Sequence, residues 1–394
     1  MGTLIGIRRE DKSIWERRVP VAPRDVRKLQ RQHGIEVIVQ PSERRAFSDE
    51  EMLLAGATVQ EDLSPCPVVF AVKEIPPHLL MPDKTYVFFA HVIKGQPHNM
   101  PMLRRLLDLG CTLIDYERIV DEQGRRLIFF GRHAGWAGMV DTLWALGQRL
   151  KWEGIPNPFQ ALHPMHTYER LARARAALEV VGEWIRVEGL PTAVTPLVIG
   201  VAGYGNVASG VQEILDTLPI VEIDPADVAA VAQDSQASCH HIYKVVFKEE
   251  HMVEPISPDE RFGLHDYYNH PQKYRGVFAR YLPYPTILVN AIYWAPQYPR
   301  LVTKADLKEL FAGEETPRLR VIGDISCDVE GAIEATVKST DPGNPVYVYH
   351  PDSGETTDGH EGKGPVIMAV DILPSELPRE ASSDFSHVLL EFIP

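Results

Sequence analysis

Three observations predict an α/β protein of two or three domains. Short apolar runs alternate with helical segments, a glycine-rich turn joins one such run to a helix, and the chain is 394 residues long. Runs at 3–8, 37–40, 68–72, 86–90 and 112–116 read as strands, with helices at 23–33 and 103–109 among them. Strands that alternate with helices imply a mostly parallel sheet. From 165 to 188 the period changes. Leu171, Ala174, Leu178, Val181 and Ile185 recur at steps of three or four, which predicts one long helix with a single apolar stripe. Gly189 and Pro191 supply its stop signal. A second α/β unit opens at 197–202, with further strands expected at 243–246, 286–291, 318–322 and 366–372. The stretch 340–363, rich in Gly, Pro, Asp and Thr, reads as an irregular loop, and a helix is expected near the C-terminus.

Composition narrows the function classes. Apolar residues make up 44% and charged residues 24%, which suits a folded soluble chain and disfavours disordered, collagen-like and coiled-coil readings. The formal net charge of −14 argues against a nucleic-acid or anionic-membrane surface, because phosphate binding relies on clustered Lys and Arg. Cys66, Cys111, Cys239 and Cys327 lie far apart without a CxxC pair, so neither a disulfide framework nor a zinc site is expected. His163 and His166 form a short HxxH without a third ligand, and no metal is expected. The start MGTLIGIRRE carries no apolar signal core, Gly6 stands where myristoylation wants Ser or Thr, and no window is apolar enough to span a membrane. A cytoplasmic protein is expected, with no oligomeric state indicated.

The strongest local signal is LVIGVAGYGNVASGVQEIL, residues 197–215. An apolar run leads into Gly203, Tyr204, Gly205, Asn206, Val207 and Ala208, and a helix follows. This is G-x-G-x-x-A in the strand–turn–helix setting of a dinucleotide site. Gly203 permits the tight turn, Gly205 lets backbone approach a pyrophosphate, and Ala208 permits close packing, while the helix N-terminus offers free N–H groups. Asp224 stands 21 residues after Gly203, the spacing of the acidic group that binds the adenosine ribose. An acid there disfavours a 2′-phosphate, so the cofactor is expected to be NAD or NADP with a mild lean to NAD.

Other polar groups stand at strand ends. Arg18 closes the charged loop EDKSIWERR, Lys73 and Glu74 follow VVFAV, His91 ends YVFFA with Lys94 three residues on, and Glu117 follows TLIDY. In open α/β sheets, groups at the carboxyl ends of strands line the ligand crevice.

With these residues in place, the sequence resembles the lysine-forming saccharopine dehydrogenases and the lysine–2-oxoglutarate reductase half of bifunctional aminoadipic semialdehyde synthase. More distantly it is similar to the alanine dehydrogenase and transhydrogenase families. The matching stretches include RREDKSIWERRVPVAP (8–23), VKEIPP (72–77), FFAHVIKGQ (88–96), LIDYERIVDEQGRR (113–126), FGRHAGWAGM (130–139), GYGNVASG (203–210), NAIYW (290–294), GDISCDVEGAIE (323–334) and DILPSELPREAS (371–382), in order along the chain.

The resemblance implies two Rossmann-like domains with parallel sheets and an interdomain cleft. The first, discontinuous domain would comprise 1–135 plus 335–394, and the dinucleotide domain 136–334. It implies that lysine's ε-amine condenses with the ketone of 2-oxoglutarate and that the imine takes hydride to give saccharopine, or the reverse. Lys73 and His91 match the family's acid–base pair. Arg18 matches its carboxylate-binding arginine, with Arg126 and Lys94 as further candidates. Glu74 and Glu117 match glutamates that offset positive charge, and Phe130 and Arg126 look like the saccharopine branch. Asp324 and Asp328 resemble aspartates near the nicotinamide, with the choice between them open. Two alternatives stand: another amino-acid or opine-type dehydrogenase on this scaffold, and a non-catalytic nucleotide-binding protein.

Overall fold

The computed structural model describes residues 3–93, 95–313 and 316–394, and it divides into two compact units, 1–130 with 377–394 and 131–376.

Unit 1 is an all-parallel sheet of β1 (Leu4–Ile7), β2 (Glu36–Val39), β3 (Thr58–Val59), β4 (Val68–Phe70), β5 (Thr85–Phe88) and β6 (Thr112–Asp115), ordered β3-β2-β1-β4-β5-β6. Strand order reverses between β1 and β4, where crossovers leave on opposite sides and open a crevice at the carboxyl ends. Helices α1 (Pro23–His33), α2 (Asp49–Leu54) and α3 (Met100–Asp108) supply connections. Pro23 opens α1 and left-handed Gly34 closes it, the asymmetry that helix ends favour.

The C-terminal helix Pro378–Leu389 returns to this unit. Ser382 accepts the Val19 N–H (2.9 Å), Ser386 accepts the Ala22 N–H (2.9 Å) and donates to Asp25 (2.7 Å), and Arg379 donates to Glu51 (2.5 Å). The two serines thereby satisfy the Val19 and Ala22 N–H groups of the 19–22 turn.

Unit 2 carries β7 (Leu197–Ala202), β8 (Ile220–Ile223), β9 (Ile242–Phe247), the antiparallel pair β10 (Val253–Pro255) and β11 (Tyr274–Gly276), and then β12 (Ile287–Asn290), β13 (Val321–Asp324), β14 (Val346–Tyr349), β15 (Thr356–Asp358) and β16 (Val366–Met368). The large sheet runs β15-β14-β16-β13-β12-β7-β9-β8 and is parallel except for β14, which runs against both its neighbours. Its helices are α4 (Gly131–Trp152), α5 (Leu171–Glu188), α6 (Asn206–Leu215), α7 (Val228–Gln233), α8 (Glu249–Met252), α9 (Leu264–Asn269) and α10 (Lys304–Leu310).

Four outcomes differ from the sequence reading. The chain re-enters unit 1 at 377 rather than 335, because β14, β15 and β16 complete the second sheet. The 340–363 stretch holds β14 and β15, a hairpin whose turn-rich composition hid two short strands. The helix expected from 165 begins at 171 behind a 3-10 turn at Met165–Tyr168. Helix α4 gives no stripe to read because it is buried on nearly every side.

Its packing explains the glycines. A Cβ on Gly135 would stand 2.1 Å from the Val207 carbonyl, and one on Gly210 would stand 2.2 Å from the Arg132 carbonyl. Only glycine lets α4 and α6 cross that closely. Among the described residues no helix is long and apolar enough to cross a membrane.

Candidate active site

In unit 1, charge gathers where β1, β4 and β5 end. The chain leaving β1 carries Glu10, whose carboxylate accepts the N–H of Val72 (2.6 Å) and of Lys73 (3.0 Å), clasping the loop after β4. Burial, reinforced by the Glu16 charge, pushes the Glu10 carboxyl up to about 7. Glu16 and Arg18 pair through Oε1 to Nε (2.8 Å) and Oε2 to Nη2 (2.5 Å), both side chains only 2% exposed. Two parallel charge-assisted bonds of this kind suit guanidinium geometry. The Arg18 guanidinium also lies 4.4 Å above the Phe130 ring, which stacks on Phe385 at 4.7 Å.

Lys73 feels this arrangement. Desolvation first, and the Arg18 and Lys12 charges second, lower its pKa from the ordinary lysine value. That is the direction a lysine must move to exchange protons near neutrality.

His91 follows β5 with φ of 49°, a left-handed conformation that residues with a Cβ rarely adopt. Its Nδ1 meets Glu74 at 2.7 Å, and Glu74 also accepts from Lys12 at 2.9 Å. Hydrogen bonding and charge from His91 and Lys12 outweigh burial and hold the Glu74 carboxyl well below the usual carboxylate range. A carboxylate on Nδ1 keeps the proton there and leaves Nε2 as the exchanging nitrogen. The Asn99 amide donates to the carbonyls of Ala90 (3.2 Å) and His91 (3.3 Å) and to Glu74 (3.3 Å), pinning the strained turn. Glu117 pairs with Arg126 rather than with His91. The Asp115 carboxyl accepts the Glu117 N–H at 2.9 Å. Lys94 lies outside the described residues.

Unit 2 builds a different crevice, between β7 and β12, where its strand order reverses. Gly203 has φ of 104°, and a Cβ there would meet the Ala291 carbonyl at 2.8 Å. Gly205 faces open space at the N-terminus of α6, so a phosphate could approach its backbone as a side chain would forbid. Around them is a pocket of about 240 Å³ lined by Tyr204, Glu249, Tyr267, Tyr268, Tyr293 and Tyr298 among others. These features fit a dinucleotide. Val207 points its side chain toward α4 instead, and Asn206 is exposed at the first turn of α6.

Asp324, at the end of β13, is 1% exposed and accepts from Asn290 (2.8 Å), Thr336 (2.5 Å) and the Cys327 N–H (3.1 Å). Burial raises its carboxyl to about 6. Asp328 is exposed. Asp224 follows the edge strand β8, is exposed and does not line the pocket.

Residues 6–137 match the family model described as alanine dehydrogenase/PNT, N-terminal domain. Across 99% of its length the chain is 36% identical to alpha-aminoadipic semialdehyde synthase of Arabidopsis thaliana and 35% identical to the mitochondrial protein of that name from Bos taurus. Over its whole length the chain is similar to one part of these aminoadipic semialdehyde synthases. It spans 38% of the Arabidopsis relative and 43% of the bovine one. The chain is also 29% identical to the NAD(+), L-lysine-forming saccharopine dehydrogenase of Yarrowia lipolytica, over 98% of this chain and 89% of that protein. In fold it matches L-alanine dehydrogenase (TM-score 0.61, 17% identity, 99% of this chain and 89% of that one). It also matches a transhydrogenase from Sinorhizobium meliloti (TM-score 0.52, 15% identity, 99% and 92%).

Sequence reasoning missed Glu10, Lys12, Glu16 and Asn99. The first three stand in the one charged loop that follows β1, so strand-end position was the available signal. Asn99 carries no such mark.

Proposed function

We propose that this protein is an NAD(P)-dependent oxidoreductase that joins the ε-amine of lysine to the ketone of 2-oxoglutarate, giving saccharopine, or runs the reverse reaction. The observation that carries this reading is the acid–base cluster of Lys73 and the Glu74-bound His91 beside the buried Glu16–Arg18 pair. End-to-end likeness to aminoadipic semialdehyde synthases and a lysine-forming saccharopine dehydrogenase supports the substrates.

Amine adds to ketone to form a carbinolamine, which loses water to give an imine. Held at the Gly203–Gly205 turn, a dinucleotide would supply the hydride that the imine carbon accepts. Overall, lysine, 2-oxoglutarate, reduced cofactor and one proton yield saccharopine, oxidised cofactor and water. His91, through Nε2, protonates the departing hydroxyl and in reverse takes a proton from the attacking water. Lys73 exchanges the proton of the nitrogen that changes from primary to secondary amine, which its lowered pKa favours. Arg18 and Arg126 hold substrate carboxylates, each while already engaged by a glutamate. Glu117 and Phe130 shape that region, and Asp324 orders the end of β13, a position that would help to hold the nicotinamide. Lys94 stays a carboxylate candidate on its sequence position alone. The cytoplasm is the proposed compartment.

The test follows oxidation of NADH and NADPH with lysine plus 2-oxoglutarate, against alanine, ornithine, ammonia and pyruvate. Turnover that needs both lysine and 2-oxoglutarate supports the reading. No turnover with lysine under either cofactor sinks it.

A further inference from the structure

The dinucleotide fingerprint counts along the sequence, yet a ribose is bound by whatever lies beside the glycine turn in space. In the usual nucleotide-binding order, the strand next in sequence to the glycine turn is also its spatial neighbour, and its terminal acid binds the adenosine ribose. Here the two differ. β9, not β8, pairs with β7, with Ala202 opposite Phe247, and the Gly203 N–H donates to the Phe247 carbonyl at 2.9 Å. β8 is displaced to the edge, two strand spacings from β7, on the order of 10 Å.

The cause is in the strands themselves. IYKVVF of β9 buries four of its six residues and fits an interior position, whereas IVEI of β8 is short and partly exposed. The cross-strand pair Glu222–Lys244 (2.8 Å) holds the edge in register.

Resting on the dinucleotide reading above, we propose that Glu249, two residues beyond β9, binds the adenosine ribose hydroxyls and sets the preference for NAD over NADP, the role that spacing assigns to Asp224. Glu249 lines the pocket with Gly203 and Gly205. Its Oε2 accepts from the Tyr204 hydroxyl (3.1 Å) and its Oε1 from Tyr268 (2.5 Å), so the carboxylate is aimed from both sides of the crevice. A carboxylate offers about four acceptor sites, so two tyrosine hydroxyls leave room for a ribose diol. Tyr267, Tyr293 and Tyr298 add aromatic faces in the same pocket for a flat base. A 2′-phosphate would set its charge against that of Glu249.

The test is equilibrium binding of NADH and NADPH, by quenching of protein fluorescence or calorimetry, without lysine or 2-oxoglutarate. The wild type is expected to bind NADH at least about tenfold more tightly than NADPH. Losing a hydrogen bond to a charged group weakens binding by roughly tenfold or more. Glu249→Gln and Glu249→Ala should therefore weaken NADH to that extent and abolish the preference. The isosteric Glu249→Gln keeps the fold, and Asp224→Asn should leave both affinities within about twofold of wild type. A preference that survives both Glu249 variants, or that moves with Asp224→Asn, overturns the assignment, as does a wild type that binds neither dinucleotide. Tight NADH binding without lysine turnover sinks the proposed reaction and leaves Glu249 in place.

Discussion

The two units use one architecture to make opposite kinds of site. Both open a crevice at the carboxyl ends of parallel strands where strand order reverses. Unit 1 fills its crevice with charge: Glu10, Glu16, Arg18, Lys73, Glu74 and His91, tied by bonds of 2.5 to 3.0 Å. Unit 2 offers backbone N–H groups, tyrosines and one carboxylate. The difference teaches that strand topology sets where a site lies, while burial of charge sets whether it can move protons. Desolvation shifts Lys73 and Glu10 toward neutrality, a condition met only where opposed charges hold one another in place.

The sharpest way to break this contrast is to remove one member of a buried pair. Glu16→Gln strands the Arg18 guanidinium and should lower the unfolding free energy by about 3–5 kcal/mol, read from denaturant melts. Glu249→Gln, a comparable change on the half-exposed side of the comparison, should stay within about 0.5 kcal/mol. Equal losses would erase the distinction.

Next come the proposed proton carriers. Lys73→Ala and His91→Ala should each slow turnover by roughly 100-fold or more while NADH affinity stays within about twofold, since only unit 1 is touched. Nearly normal turnover in His91→Ala would remove it from the mechanism.

A smaller effect probes the frame of unit 2. Gly135→Ala drives a methyl against the Val207 carbonyl and should cost about 1–3 kcal/mol, visible as a lower Tm.

The smallest concerns pH. Asp141 and Glu376 are buried together, with Asp141 accepting the Met165 N–H (2.7 Å) and Glu376 the His166 N–H (2.9 Å). Burial raises the Asp141 carboxyl from 3.8 to about 6, and burial with the Asp141 charge raises Glu376 further. A raised pKa means the folded state holds the proton more tightly. The stability contributed by Asp141 is full below pH 3.8 and is lost as pH rises through about 6. Asp141→Asn should flatten the decline between those limits, and an unchanged slope in denaturant melts would contradict the assignment.

Much of where the two candidate sites lie was legible in the sequence. Lys73 and His91 announce themselves because each ends an apolar run, and Gly203 and Gly205 because they interrupt one. What stayed hidden is what sequence order misstates. Asp224 carries the expected spacing but follows the edge strand β8, because β9 takes the interior position beside β7. Residues 335–376 follow the nucleotide strands and join their sheet, where return to unit 1 was expected. Helix α4 is silent because full burial erases periodicity. Glu10 and Asn99 act through backbone groups, and such contacts leave no pattern along the chain.

The proposed condensation is tested by giving the protein lysine labelled with ¹⁵N at the ε-amine, 2-oxoglutarate and reduced cofactor, and following the nitrogen by NMR and mass spectrometry. The label is expected to end in a secondary amine bonded to the former ketone carbon, with one reduced cofactor consumed for each product formed. Label released as ammonia, transferred into glutamate, or left in unreacted lysine while cofactor is oxidised would contradict it.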